Sequence, residues 1–469
     1  MNNITDLSGL EDTDVIISGI RIQGRTKTIT LEAPPTAHFC PSCGYRMHSG
    51  GIKSRTINHP VLQDNYSLIL ILKQRRWRCT SPVCLYDISE SFKFVDKHRR
   101  TTNASDMLIV DAYRDLLETS ASIAKRFHVS DSHAREVFDR YVKPDRLPLT
   151  DAISVDEVHP DMDDDCRYAL VIQDFHTGDP VGLLRSRRTS VTEPYFVSIP
   201  ADERSQVKYL ISDMYNPYIA CVEKYFPNAV PVADSFHVIQ WFTRSVDSCI
   251  RQLLKKYRQR DREYQDRLSP GRQHPVTLPP SDEVCLLQKY RWLILANQSN
   301  IRYRNDPRMD ARFHALMNTY DYEDALFRID PNLRDFRDLK EKYVQFNARN
   351  SGKPVRAHAG LKELIREFKG SRFEIFRDFA SLPEKFEVPV INSFIMVEKM
   401  GNGKIYDARL SNGPIESPGR KVKDLRRIGH GFRNFGHFRN RFLYATRSSP
   451  VLNGISDHNP VTYFEDDDF

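Results

Sequence analysis

The 469-residue sequence has no run of eighteen apolar residues, so no membrane-spanning helix is expected. Residues 1–24 carry neither the basic start nor the apolar centre of a secretory signal peptide, and a cytoplasmic protein is expected. Disulfides are rare there, so the eight cysteines need another reading. There is no GxxxxGK[ST] loop to cradle nucleotide phosphates and no internal repeat. The excess of positive charge is small: 69 Lys and Arg against 62 Asp and Glu give +7, which permits an acidic partner without demanding one. The length calls for two to four domains, and 40% hydrophobic residues suffice for their cores.

Four of the cysteines form two close pairs, Cys40-Pro-Ser-Cys43 and Cys79-Thr-Ser-Pro-Val-Cys84. Each pair supplies half a tetrahedron of thiolates, and a hairpin that brings the pairs together completes a structural zinc site. The intervening NYSLILILKQRRWRC reads as a strand ending at the second pair. His48 and His59 are candidates to replace a ligand. The single cysteines Cys166, Cys221, Cys249 and Cys285 read as small core residues. Arg75, Arg76 and Arg78, with Trp77 among them, make a basic and aromatic knot suited to phosphate contact and stacking.

Residues Glu118 to Val142 read as two short helices joined by a turn. Ile123, Ala124 and Phe127 give one inner face, Val129 plugs the turn, and Val137, Phe138 and Tyr141 continue the core. Ser130 fits the N-cap of the second helix, which offers His133 and Arg135 near its start. This is the pattern of a helix-turn-helix, whose second helix enters the major groove of DNA. Lys143 to Thr150, with two prolines, reads as a linker.

Beyond it, Ala152 to Val155 and Tyr168 to Ile172 read as buried strands, and His176-Thr-Gly-Asp179 closes a hairpin. Asp156 leaves the end of the first strand. Val207 to Ser212, a helix over Tyr215 to Tyr225, and Ala229 to Ala233 form a β-α-β unit. It carries Asp213 and Asp234 to the same sheet edge, and Asp234-Ser-Phe-His237 opens a long helix. Three such carboxylates suit a hard divalent cation such as Mg²⁺ or Mn²⁺, and two ions about 4 Å apart suit phosphodiester chemistry. The residues alone leave open whether Asp213 or Asp234 is the second ligand. The acidic group Asp161, Asp163, Asp164 and Asp165 lacks the Gly and distal Glu of a calcium loop and reads as a solvated hairpin. Residues 240 to 390 have helical periodicity with charged outer faces, the pattern of a helical insertion.

Near the C-terminal end, SNGPIESPGRKVKDLRRIGHGFRNFGHFRNRF places Glu416 before a basic helix carrying Arg420, Lys421, Lys423, Arg426 and Arg427. The phenylalanines at 432, 435, 438 and 442 recur at helical spacing and read as core.

Together these pieces resemble a DDE transposase, and more narrowly the ISL-three family of insertion-sequence transposases. The resemblance runs over nearly the whole chain. It rests on CPSCG, RRWRCTSPVC with the following SESF, the helix-turn-helix, SVDEVH, ISDMYNPY, FPNAVPVADSFHV and the Glu416 stretch, in that order. It implies a multidomain α/β protein: a zinc-binding β segment over 1–100, a helix-turn-helix over 101–148, and an RNase H-like core over 149–240 and 396–469. An α-helical insertion over 241–395 interrupts that core. It further implies that Asp156, Asp213 and Glu416 form the catalytic, metal-holding triad, with Asp234 and His237 an accessory pair. Where such proteins continue Gly-x-Asn after the glutamate, this chain has Ser417-Pro418-Gly419. The implied partners are double-stranded DNA, as terminal inverted repeats and target, and further copies of the chain; bound to DNA, it would be nucleoid-associated. A DNA-binding regulator, an inactive transposase descendant or an RNase H-like nuclease without strand transfer are the competing expectations.

Overall fold

A computed structural model describes residues 15–59, 67–160, 162, 167–268, 270, 277–401, 404–429, 431–449 and 452. The acidic group at 161–165 and Cys166 lie outside the described residues, apart from Met162. The protein is mixed α/β and divides into two compact units. One comprises Met1–Arg146, His159–Arg167 and Arg420–Phe469; the other comprises Leu147–Val158 and Tyr168–Gly419. Among the described residues no helix is long and apolar enough to cross a membrane.

The first unit opens with a sheet of β1 (Ile16–Gln23), β2 (Thr26–Glu32), β3 (Met47–His59), β4 (Ser67–Cys79) and β5 (Asp87–Ser89). The order is β1-β2-β4-β3, with β5 on the far part of β4. Alternation in β4 sends Leu68, Leu70 and Leu72 inward onto Leu31, Ile57, Phe92 and Phe94. A bulge interrupts the β3–β4 pairing between Ser49 and Ile52. Gly51 sits there at φ 118°, a conformation that a residue with a Cβ rarely adopts.

Three helices follow: α1 (Asn103–Ala112), α2 (Ser120–Phe127) and α3 (Asp131–Tyr141). Thr119 and Ser122 form a capping box at α2, and the Ser130 hydroxyl accepts the His133 N–H at 3.2 Å to cap α3. Ile123, Ala124, Val137, Phe138 and Tyr141 are buried as the pattern predicts, while Phe127 and Val129 pack at the edge of that core. The last described helix, Phe435–Thr446, joins the same core through Tyr444. Phe438 and Phe442 are fully buried; Phe432 and Phe435 are half-buried.

The second unit is built on β6 (Ala152–Val158), β7 (Ala169–Asp174), β8 (Pro180–Leu184), β9 (Tyr209–Ser212) and β10 (Val230–Ala233), in the order β10-β9-β6-β7-β8. β6, β7 and β8 are an antiparallel meander, whereas β9 pairs in parallel with both β6 and β10. The parallel pair is joined through α4 (Asn216–Tyr225), the crossover that parallel strands require. β6 runs past Asp156 to Val158, so that aspartate lies within the strand rather than beyond it. The extension is held by pairing of Asp156 with Val171 and of Val158 with Ala169.

The helix opened by Ser235, α5, runs on to Leu268. It buries Val238, Phe242, Val246, Ile250 and Leu254 against an aromatic core containing Phe368, Phe376 and Phe379. The helical texture of 240–390 is interrupted by a small hairpin, β11 (Arg308–Asp310) with β12 (Ala315–Met317). A second hairpin, β13 (Met396–Gly401) with β14 (Lys404–Arg409), precedes the Glu416 segment and was not legible as strands.

Candidate metal centres

The β3–β4 hairpin brings the cysteine pairs together, as the spacing predicts. Cys40 and Cys84 sulfurs lie 3.7 Å apart, and those of Cys43 and Cys79 lie 3.4 Å apart. All four sulfurs fall within 4.8 Å of one another. A tetrahedral zinc with Zn–S bonds of about 2.3 Å needs S···S edges of about 3.8 Å, so the cluster fits that ion. Burial raises the Cys40 thiol, but the backbone N–H groups of Ser42 and Cys43 outweigh it and bring the thiol down to about 7. The thiols of Cys43, Cys79 and Cys84 are raised instead, by burial and by the neighbouring cysteines, so without metal the four do not all ionise together. No histidine is required: His59 is buried elsewhere, its Nδ1 2.8 Å from the Thr102 hydroxyl, and His48 is exposed on β3.

The neighbouring basic knot is partly turned inward. Trp77 is packed with Cys40 and Met47, close to the His38 ring, and its indole N–H donates to Glu90 Oε1 at 3.1 Å. It is therefore core to the cysteine site rather than a free stacking surface. Arg75 lies 3.9 Å from Glu90, and Arg76 pairs with Asp87 on β5. Arg78 is exposed, and its side chain crosses Gly50 so closely that a Cβ there would come within 3.0 Å of it. On α3, Arg135 is exposed near the helix start. His133 instead places Nε2 3.2 Å from the Thr101 hydroxyl and 4.0 Å from the buried Asp106.

The second centre forms on the sheet of the other unit. Asp156 on β6 and Asp213 after β9 come together because these strands are parallel neighbours. With His237, in the first turn of α5, their ligating atoms lie within 4.8 Å of one another. His237 Nε2 is 2.9 Å from Asp213 Oδ1 and 3.7 Å from Asp234 Oδ2. Asp213 Oδ1 is shut off from solvent, with the His237 imidazole against it. Two carboxylates crowded this closely repel one another, and a divalent cation between them would relieve that cost, so the donor set fits a hard metal ion.

Charge crowding is visible in the titration of the group. Burial, followed by the neighbouring Asp213 carboxylate, pushes Asp156 up to about 6. Burial works to lower the His237 imidazolium, but hydrogen bonding and charge from Asp213 overcome it and raise its pKa. The site without metal therefore gathers protons where a cation would sit.

Asp234 has a different environment. It is 1% exposed, and its Oδ1 accepts the backbone N–H of Asn412 at 3.2 Å and of Phe236 at 3.3 Å. Asn412, also buried, donates its side-chain N–H to the Val155 carbonyl at 3.0 Å, one residue before Asp156. The Ser-Asn-Gly-Pro turn is thus tied to both β6 and Asp234. Glu416 opens the helix Glu416–Ile428 exposed, outside the cluster of three. Pro418 stands within the first turn of that helix, where its missing N–H costs nothing. Arg420, Lys423 and Arg427 are exposed along the helix, and Lys421 and Arg426 are half-buried. Sequence reasoning did not find Asn412; the signal was an Asn-Gly turn at a fixed offset from an isolated acid.

A family model described as a transposase, the ISL3 type, matches residues 153–442. The chain belongs to the ISL3 family of transposases. Among curated proteins it is similar to the transposase for insertion sequence element IS1001 of Bordetella parapertussis. The two are 24% identical over 325 residues, which cover 65% of this chain and 71% of that protein. It is also similar to the transposase for insertion sequence element IS1557 of Mycobacterium tuberculosis, 23% identical over 305 residues. That alignment covers 64% of this chain and 61% of the IS1557 protein.

Proposed function

We propose that this chain is a DDE transposase that binds the terminal inverted repeats of an insertion sequence and catalyses metal-dependent cleavage and strand transfer. The observation that carries this reading is the meeting of Asp156 and Asp213 across parallel strands, with His237 beside them and all three ligating atoms within 4.8 Å of one another. An antiparallel meander with two parallel strands added beside its first strand supports an RNase H-like core.

In this reading Asp156, Asp213 and Glu416 would hold two divalent ions, Mg²⁺ or Mn²⁺. These ions would activate the attacking oxygen and stabilise the leaving one in each in-line displacement at phosphorus. Asp234 acts through Asn412, fixing the turn that leads to Glu416. His237 offers positive charge beside Asp213. The cysteine site orders the β3–β4 hairpin around a structural zinc. The helix pair α2–α3, capped by Thr119 and Ser130, serves as the helix-turn-helix, with Arg135 at the groove. Arg75, Arg76, Arg78, His133 and the cations from Arg420 to Arg427 are the further DNA contacts; Arg75, Arg76 and His133 would exchange protein partners for phosphate. Pairing of two transposon ends calls for more than one copy in the DNA complex.

The test is a strand-transfer assay with labelled transposon-end DNA, an acceptor plasmid and Mg²⁺. Asp156→Ala, Asp213→Ala and Glu416→Ala should each reduce joined product by at least about a hundredfold, the scale of losing a charge-stabilising group. Undiminished product from Asp156→Ala or Glu416→Ala would sink the triad.

A further inference from the structure

We propose that Glu157, Arg187 and Tyr218 are positioning residues that set the separation of the Asp156 and Asp213 carboxylates. This inference rests on the reading of those aspartates as metal ligands. Successive residues of a strand face opposite ways, so Glu157 points to the side of β6 away from Asp156. There its carboxylate is held at both oxygens. Arg187 Nη1 lies 2.5 Å from Oε2, and the Tyr218 hydroxyl donates to Oε1 at 2.8 Å. Its own backbone N–H donates to Asp156 Oδ1 at 2.7 Å. Glu157 therefore fixes the neighbouring carboxylate directly, through that bond, and indirectly, by anchoring the strand.

One of the partners, Tyr218, comes from the segment that follows Asp213, and the other, Arg187, from the stretch after β8. Tyr218 lies in α4, which starts three residues after Asp213, and Tyr215 between them donates its N–H to the Asp213 carbonyl at 2.7 Å. The Arg187 guanidinium sits 4.3 Å from the centre of the Tyr168 ring and 5.5 Å from that of Tyr215. One glutamate thus links the strand of the first aspartate to the turn and helix that follow the second. A cavity of about 150 Å³ lies beside Tyr218 and Arg187, lined also by Val155, Leu210 and Cys221. Burial and the Glu157 carboxylate push the Tyr218 phenol far above its ordinary value, so it stays a donor.

The consequence is selectivity among ions. Mg²⁺ demands near-ideal octahedral geometry at about 2.0–2.1 Å, whereas Ca²⁺ accepts flexible geometry at about 2.3–2.6 Å. Relaxing the carboxylate separation should therefore weaken Mg²⁺ binding more than Ca²⁺ binding. A general loss of folding would weaken both alike.

Calorimetric titration of Mg²⁺ and Ca²⁺ into the full-length, zinc-loaded protein tests this, with thermal melts alongside. Glu157→Gln and Tyr218→Phe should each lower Mg²⁺ affinity about tenfold, roughly the weight of one hydrogen bond to a charged group. Ca²⁺ affinity should change less than about twofold, by the tolerance of its geometry, with melting temperature kept. Asp156→Asn should abolish binding of both ions. Wild-type Mg²⁺ and Ca²⁺ affinities in Glu157→Gln and Tyr218→Phe, or equal losses of the two, would overturn the positioning role. Wild-type binding in Asp156→Asn would overturn the metal site itself, and the positioning role with it.

Discussion

Asp156 and His237 both hold their protons more tightly in the folded chain than their ordinary values allow. For Asp156, burial and the Asp213 charge move the group from 3.8 to about 6, so the folded state carries a proton between those values that the unfolded state lacks. Stability without divalent metal must then fall as pH rises through 6. His237 acts in the same direction: its stabilising charge is complete below its unfolded value of 6.5 and is lost as pH rises through the raised folded value. Denaturant unfolding in magnesium-free buffer should therefore show a decline from pH 5.5 to 7.5, about 1 kcal/mol of it from Asp156. Asp156→Asn should remove that share, and added Mn²⁺ should restore more stability at pH 7.5 than at pH 5.5. Asp156 and Asp213 were legible as acids at strand ends. Their shared environment was not, because proximity of Asp156 to Asp213 depends on which strands pair.

At the scale of elements, the cysteine knuckles were the most legible feature. Two short spacings fix two thiolates each, and the intervening strand dictates a hairpin that returns one pair to the other. The wild-type protein should contain one zinc per chain by elemental analysis. Cys43→Ser and Cys84→Ser should lose it, and amide exchange should quicken along the cysteine ends of β3 and β4; Cys221→Ser should retain the metal. The α2–α3 pair was legible for a similar reason: Ser130 and the apolar spacing act within a dozen residues. Less legible were elements defined by distant partners. The hairpin of β13 and β14 carries half-exposed, charged strands whose main signal was the Asn402-Gly403 pair between them. Trp77 looked available for stacking because its burial comes from Cys40, Met47 and Glu90, none of which is its neighbour in sequence.

At the scale of the molecule, the first and last described stretches belong to one compact unit. Arg441 makes the link concrete. It is 2% exposed and donates to the carbonyls of Tyr113, Asp115 and Glu118, near the ends of α1 and α2. Burial lowers its guanidinium pKa to about 10. Arg441→Met would take the guanidinium donors from those carbonyls, of which Asp115 alone keeps the Glu118 N–H, and should destabilise this unit by about 3 kcal/mol. Hydrogen exchange should quicken in α1 and α3 while α5 stays protected. The spacing of residues 435–446 specified a helix with an apolar face but named no partner, since a helical period says only that one face is covered. By itself the sequence determined the cysteine pairs, the capped helix pair, the β-α-β order and the acids themselves, because each follows from short spacings and local backbone chemistry. Only the tertiary structure decided that Asp213 lies against Asp156 and His237, that Asp234 and Asn412 hold the turn before Glu416, and that Arg441 closes the N-terminal helices. Those arrangements depend on strand order and on contacts between residues as many as 328 apart, which no local pattern encodes.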